Sequence, residues 1–309
     1  MMKSKGVLTI AHGHPRFARQ AVNLARSIRL HDPDLPLAVA TDLDASWFEG
    51  MYDQVIPWDF SRHSGLISKL DAYEISPFDV TLLLDTDILM FASLQHYFDY
   101  FEGEAFGLIG QNVAESVYFE SMDLIREHIP AATYAIFVGG LYYFVKSELA
   151  CGIFRRAEEL LPLYGDLGIR MLRGAINEEP LFALAMAEAG LLAKRPRTAD
   201  MILNPTGAGG ELVDVDVVAG SCWQIDGGGR TRRAMLHFHA GEVHGYGYIR
   251  QVLRLQAAYY DTARRVRFEG LIRMQAAIAW TAAPPRGLGK WRTRIEKRIR
   301  SLLPRGRMQ

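Results

Sequence analysis

The sequence predicts an α/β fold in which a central sheet carries helices on both faces. Three observations carry that expectation. Short apolar runs alternate with amphipathic helical patterns through the first half of the chain, one of those runs is apolar without interruption, and an acidic pair stands at its end. Strands joined by helices form parallel sheets buried on both sides, which is why they read as continuous rather than alternating apolar stretches.

Residues 6–11 read as the first strand, and residues 15–30, apolar at Phe17, Ala21, Leu24, Ala25 and Ile28, as an amphipathic helix. His31-Asp32-Pro33-Asp34 then separates this helix from a strand at 35–40. A short strand at 54–57, a helix at 66–75 and the strand Val80-Thr81-Leu82-Leu83-Leu84 follow. Beyond them, 106–110 and 135–145 are strand candidates, with Gly139-Gly140 suggesting a bend or a close backbone approach. Helices are expected at 147–161 and 179–189, a strand at 234–238, and helices at 248–265 and 271–282. No linker interrupts this pattern before Pro284-Pro285, so one domain over residues 1–283 with an appended tail over 284–309 is expected.

Composition bounds the function. The chain has 309 residues, 49% of them apolar, enough for a substantial core, and shows neither repeats nor long low-complexity tracts. Its formal charge is zero but unevenly placed: nine of 35 basic residues and one of 35 acidic residues lie beyond Pro285, so the body carries 26 basic against 34 acidic groups. An acidic body is a poor general binder of nucleic acid. The start of the chain passes directly into a strand without the apolar segment of a signal peptide, and charges at Glu188 and Arg273 interrupt the most apolar stretches. Two cysteines, Cys151 and Cys222, are too few for a disulfide framework. A cytoplasmic protein is expected.

Asp85 and Asp87 follow the apolar run at 80–84 two residues apart, so in extended chain both carboxylates point to one side. Open parallel sheets bind ligands beyond the carboxyl ends of their strands. Two carboxylates there are costly to desolvate, and a hard divalent cation such as Mg²⁺ or Mn²⁺ removes that penalty. The same triplet also serves as a helix cap or a solvated turn. A second cluster, His237, His239 and His244, places three of nine histidines in eight residues, and an imidazole from it could close a metal site begun by the aspartates or sit in an aromatic core strand.

These segments together resemble the GT-A nucleotide-sugar transferases, in particular glycosyltransferase family 8. The stretch from Lys69-Leu70-Asp71-Ala72-Tyr73 through Pro77-Phe78-Asp79 and the apolar strand to Asp85-Thr86-Asp87 carries the resemblance most specifically. The first strand and turn through His12-Gly13, the strand Gly139-Gly140-Leu141-Tyr142-Tyr143-Phe144, the helix start Asn177-Glu178-Glu179-Pro180 and the late His237-Phe238 also match, in the family's order. The resemblance implies a mixed sheet and a metal held by Asp85, Asp87 and His237, with His239 as the alternative imidazole. It implies that Ala11, His12, Thr41, Asp42, Lys69, Asp85 and Thr86 hold a nucleotide-diphosphate sugar, most simply a UDP-sugar, and that Glu178 or Glu179 lies beside the transferred sugar. The implied activity is hexosyl transfer with retention to a glycan or lipid-linked acceptor. The chain departs from the family pattern at His12-Gly13-His14, where acidic and Asn residues are frequent, at Glu178-Glu179, where Asp-Gln is common, and after His237-Phe238, where the usual Lys-Pro-Trp is absent.

Two other functions fit parts of this pattern: a non-catalytic nucleotide-sugar binder on the same fold, and a phosphatase of the haloacid dehalogenase type, whose Asp-x-Asp usually opens the chain. In the tail, Trp291, Ile295, Ile299 and Leu302 recur at helical spacing among basic residues, the pattern of an amphipathic helix lying on an anionic membrane surface. A solvated tail or a helix docked on the acidic body are the other readings of that segment.

Overall fold

A computed structural model describes residues 3–195 and 211–259, together with residues 270, 271 and 274. Residues 1–251 form one compact unit and residues 252–309 a second, of which the described part is helical. The expected helix at 271–282 and the tail at 284–309 lie outside the described residues, apart from 271 and 274.

In chain order the elements are β1 (Lys5–Ile10), α1 (Pro15–Arg29), β2 (Leu37–Thr41), β3 (Gln54–Pro57), a 3₁₀ helix (Gly65–Asp71), α2 (Ala72–Ile75), β4 (Val80–Leu84), β5 (Ile88–Met90), α3 (Gln95–Tyr100) and β6 (Phe106–Gly107). There follow β7 (Gly110–Val113), α4 (Met122–His128), β8 (Tyr134–Phe137), β9 (Leu141–Val145), α5 (Glu148–Leu160), α6 (Glu178–Glu188), β10 (Glu211–Asp216), β11 (Ser221–Asp226), β12 (Gly229–Arg232), β13 (Met235–His237) and α7 (Tyr246–Tyr259).

The central sheet has the order β3-β2-β1-β4-β9-β6. Its first four strands are parallel, as the alternation of runs and helices predicts, but β9 runs antiparallel to both of its neighbours, β4 and β6, so the sheet is mixed. Each strand feeds both faces. Val7, Val39, Leu82 and Leu84 pack on one side with Leu24 and Ile28 of α1. Leu8, Ala38 and Leu83 pack on the other with Phe154 of α5 and Phe182 of α6. Cys222 is buried, and burial pushes its thiol up to about 12, so it stays a neutral apolar filler, while Cys151 is exposed.

Two expected elements take a different form. The helix expected at 66–75 is a 3₁₀ turn running into a single α turn, and the Ser68 hydroxyl donates to the Gly65 carbonyl at 2.9 Å, diverting a carbonyl that an α ladder would use. The run expected at 135–145 is two strands, β8 and β9, which pair with different partners. Gly139-Gly140 separates them because backbone must pass close to other side chains there. A Cβ on Gly140 would stand 2.6 Å from His237 Nδ1, and one on Gly139 would stand 2.6 Å from Glu178 Oε1.

Candidate active site

The acidic pair stands where β4 leaves the sheet. The last rung is the Asp85 N–H donating to the Gly140 carbonyl at 3.1 Å, after which the chain turns, with Ile88 N–H donating to the Asp85 carbonyl at 3.3 Å. It then runs as β5 against β13, in antiparallel register His237↔Ile88, and Phe238 N–H donates to the Asp87 carbonyl at 2.9 Å. That ladder delivers His237, from far along the chain, onto the aspartates. Its Nε2 lies 3.0 Å from Asp87 Oδ1 and 3.6 Å from Asp85 Oδ2.

Ligand atoms of Asp85, Asp87 and His237 all lie within 4.8 Å of one another, and this is the group of three such residues found among the described ones. Two carboxylates and one imidazole suit a borderline-to-hard divalent ion. Burial opposes protonation of His237, but its hydrogen bond to Asp87 and the charges of Asp87 and Asp85 raise it above its ordinary value. The same convergence of negative charge on one ring edge is what a cation would satisfy.

His239 is placed otherwise. It follows the end of β13, and its Nδ1 pairs at 3.0 Å with Glu242 Oε2 three residues on, outside the three-residue group. His237→Ala is therefore expected to weaken Mn²⁺ binding by at least about tenfold, and His239→Ala to leave it within a factor of about three. Titration of both variants by calorimetry checks the ranking, which fails if His239→Ala is the weaker binder.

Lys69 forms the hub of the site. It is 8% exposed, and its Nζ donates to Gly139 O at 2.6 Å and to Glu178 Oε1 at 2.7 Å, and lies 2.9 Å from Asp85 Oδ1. Burial alone would lower its pKa, but the charges of Asp85 and Glu178 outweigh burial and hold the ammonium well above its ordinary value. Glu178, 1% exposed at the start of α6, also accepts from the Tyr142 hydroxyl at 3.1 Å. Burial lifts its carboxyl above the ordinary range against the pull of Lys69. Glu179 is half-buried and held on both oxygens. Oε1 accepts from Gly139 N–H at 2.7 Å, while Oε2 lies 3.0 Å from the Tyr118 hydroxyl and 3.3 Å from Asn177 Nδ2. Asn177 caps α6, and the two glutamates in the first turn complement the helix dipole.

The remaining residues form a separate group at the ends of β1 and β2. Thr41 Oγ1 donates to Ala11 O at 2.6 Å, and Asp42 Oδ1 accepts from Gly13 N–H at 2.8 Å, which ties the first turn to the second strand end. The His12 ring stacks on Phe60, centroids 4.3 Å apart, a contact that Phe60's sequence context did not signal. Thr86 is 7% exposed, and its hydroxyl donates to Gln20 Oε1 of α1 at 3.2 Å. A cavity of about 740 Å³ lined by Lys5, Val80, Phe98 and Tyr143 opens at the start of β1 and β4, the opposite end of the sheet from the aspartates.

This architecture, a mixed sheet with parallel strands ending in an Asp-x-Asp joined by a late histidine, is the GT-A fold. The galactosyltransferase LgtC, solved in complex with donor and acceptor sugar analogs, matches with a TM-score of 0.52 at 16% sequence identity, covering 84% of this chain and 99% of that one. An active-site variant of LgtC matches with a TM-score of 0.51 at 16% identity and the same coverage. No family model and no curated protein sequence matches the chain.

Proposed function

We propose that this protein is a metal-dependent glycosyltransferase that moves a hexose from a nucleotide-diphosphate sugar, a UDP-sugar on the simplest reading, with retention, to a glycan or lipid-linked acceptor. The convergence of Asp85, Asp87 and His237 beside a buried Lys69–Glu178 pair is the observation that carries this reading. On the same fold LgtC is a galactosyltransferase crystallised with donor and acceptor sugar analogs.

Asp85, Asp87 and His237 would hold Mn²⁺ or Mg²⁺, which when bound supplies Lewis-acid neutralisation of a departing diphosphate. Around it, Lys69 holds a fixed positive charge within reach of Asp85, suited to a phosphate oxygen. His12, Ala11, Thr41 and Asp42 form the turn in which the nucleoside rests. Glu179, oriented by Gly139, Tyr118 and Asn177, presents a carboxylate that stabilises positive charge on the sugar, and Glu178 holds Lys69 in place from below.

Calorimetric titration with a panel of nucleotide sugars in Mn²⁺, followed by an assay for released nucleoside diphosphate, tests the proposal. Binding with release supports the enzyme. Binding without release to any acceptor or water supports the non-catalytic binder, and no binding overturns both.

No helix among the described residues is long and apolar enough to cross a membrane. We read the basic tail as a peripheral anchor on an anionic cytoplasmic leaflet, which suits an acceptor carried on a lipid. Each basic residue near such a surface contributes on the order of 1 kcal/mol. The full chain is expected to co-sediment with anionic but not neutral vesicles and to be released by high salt. Truncation after Pro285 is expected to abolish sedimentation, and equal sedimentation of both chains would make a soluble acceptor the better reading.

A further inference from the structure

Asp71 has no part in the site described above, yet it is 5% exposed and carries a carboxylate. Its Oδ1 pairs at 2.6 Å with Nδ1 of His63, itself 3% exposed, and its Oδ2 accepts from Trp58 Nε1 at 3.2 Å. The far side of the His63 ring looks toward Glu158 of α5, with Nε2 3.9 Å from Oε1, and Arg62 pairs with that same glutamate. A carboxylate buried this deeply is expensive unless its hydrogen bonds are used.

What those bonds hold is a segment with little regular structure of its own. Residues 58–64 lie between β3 and the 3₁₀ helix. Trp58 N–H donates to the Thr41 carbonyl at 3.0 Å, and Phe60 carries the stack with His12, so one end of the segment forms part of the nucleoside turn proposed above. The other end is the 3₁₀ helix that closes on Asp71, two residues after Lys69. Such a helix has weaker hydrogen bonds than an α-helix and needs tying from outside. Asp71 joins the two ends: it grips Trp58 and His63 before the helix from a position in the same turn as Lys69.

We propose that Asp71, through its clasp on His63 and Trp58, is a positioning residue that sets Lys69 and the His12–Phe60 stack in register for one ligand reaching both. The role of that ligand as a nucleotide-sugar donor rests on the function proposed above; the positioning of Lys69 does not.

Two readouts separate these parts. Lysine acylation followed by mass spectrometry reports the accessibility of Lys69 without any ligand, with Lys3 as an exposed reference. Asp71→Ala is expected to speed modification of Lys69 by at least about tenfold while Lys3 is unchanged, the mark of a locally released turn in a folded protein. Should Asp71→Ala fail to fold, Asp71→Asn provides the same measurement. Its amide oxygen can still accept from Trp58 Nε1, while its Nδ2 bonds His63 Nδ1 only in the tautomer that leaves that nitrogen an acceptor, so a smaller increase is expected. With UDP-hexose and Mn²⁺, Asp71→Asn is expected to raise KM and lower kcat/KM by on the order of 10-fold to 10²-fold. Unchanged Lys69 modification in a folded Asp71 variant would overturn the positioning role. Faster modification in a protein that binds no UDP-hexose would uphold the clasp and sink the donor reading instead.

Discussion

Asp85→Asn and Asp87→Asn are each expected to reduce release of nucleoside diphosphate from a nucleotide sugar by on the order of 10²–10³-fold, the scale for loss of one preorganised electrostatic group. The fold should tolerate both changes. Asn keeps the shape of Asp, and the backbone bonds that end β4 and start β5 are made by main-chain atoms; Asp87→Asn leaves the Lys69 cluster intact, whereas Asp85→Asn withdraws one of the two carboxylates that pair with Lys69 and leaves it Glu178 and the Gly139 carbonyl. A thermal melt therefore distinguishes the site from the scaffold. Mn²⁺ at about 100 times its Kd stabilises the wild-type protein by about 2.7 kcal/mol, a rise of roughly 4 °C for a chain of this size. Neither variant should show that rise at the same concentration, while the melting point of Asp87→Asn without metal stays within a few degrees of wild type and that of Asp85→Asn falls further because Lys69 loses one partner. Full turnover in excess chelator, or an equal Mn²⁺ shift in either variant, would remove the metal from the site.

How much of this could be read beforehand depended on whether a feature is local. β4 and its acidic end were legible because a short buried run, Val80-Thr81-Leu82-Leu83-Leu84, followed by Asp-Thr-Asp is a local signal, and α1 and α6 were legible as helical patterns. The direction of β9 was not, because an apolar run looks the same pointing either way. β5, three residues long, takes its identity from pairing with β13 much later in the chain, and no pattern within Ile88–Met90 announces it. The choice between His237 and His239 was ambiguous for a related reason: period-two alternation puts both on one face, but β13 ends at His237 and the chain turns, leaving His239 to pair with Glu242. The β10–β12 meander had a visible signal that went unread. Asp226-Gly227-Gly228-Gly229 is a turn between strands, and Trp223 and Ile225 before it alternate with more polar residues. Lys69 could be singled out from sequence, whereas its partner could not, since Glu178 meets it only through the packing of α6 beneath Gly139.

That buried pair carries the largest expected effect on stability. Lys69→Met leaves a methionine of similar length but withdraws the cation from Glu178, whose Oε2 already has no hydrogen-bond partner and whose Oε1 would retain only the Tyr142 hydroxyl. Breaking a buried ion pair from one side typically costs about 3–5 kcal/mol because the remaining charge stays desolvated. Lys69→Met should therefore lower the denaturation midpoint by an amount corresponding to that range at neutral pH, measured by guanidinium unfolding. The sign of its pH dependence follows from Glu178. Burial already raises that carboxyl above its ordinary value, and Lys69 is the main group pulling it down, so removing Lys69 raises it further. A carboxyl raised in the folded state favours folding most below its unfolded value and loses that contribution as pH rises through the folded value. The deficit of Lys69→Met relative to wild type should thus shrink on going from neutral pH into the acid range, where Glu178 takes up a proton and becomes neutral. Lys69→Met combined with Glu178→Gln should recover much of the loss at neutral pH, since no buried charge is left unpaired. A deficit that does not change with pH, or a double variant no more stable than Lys69→Met alone, would show that Lys69 acts mainly through Asp85 and the Gly139 carbonyl, and not through Glu178.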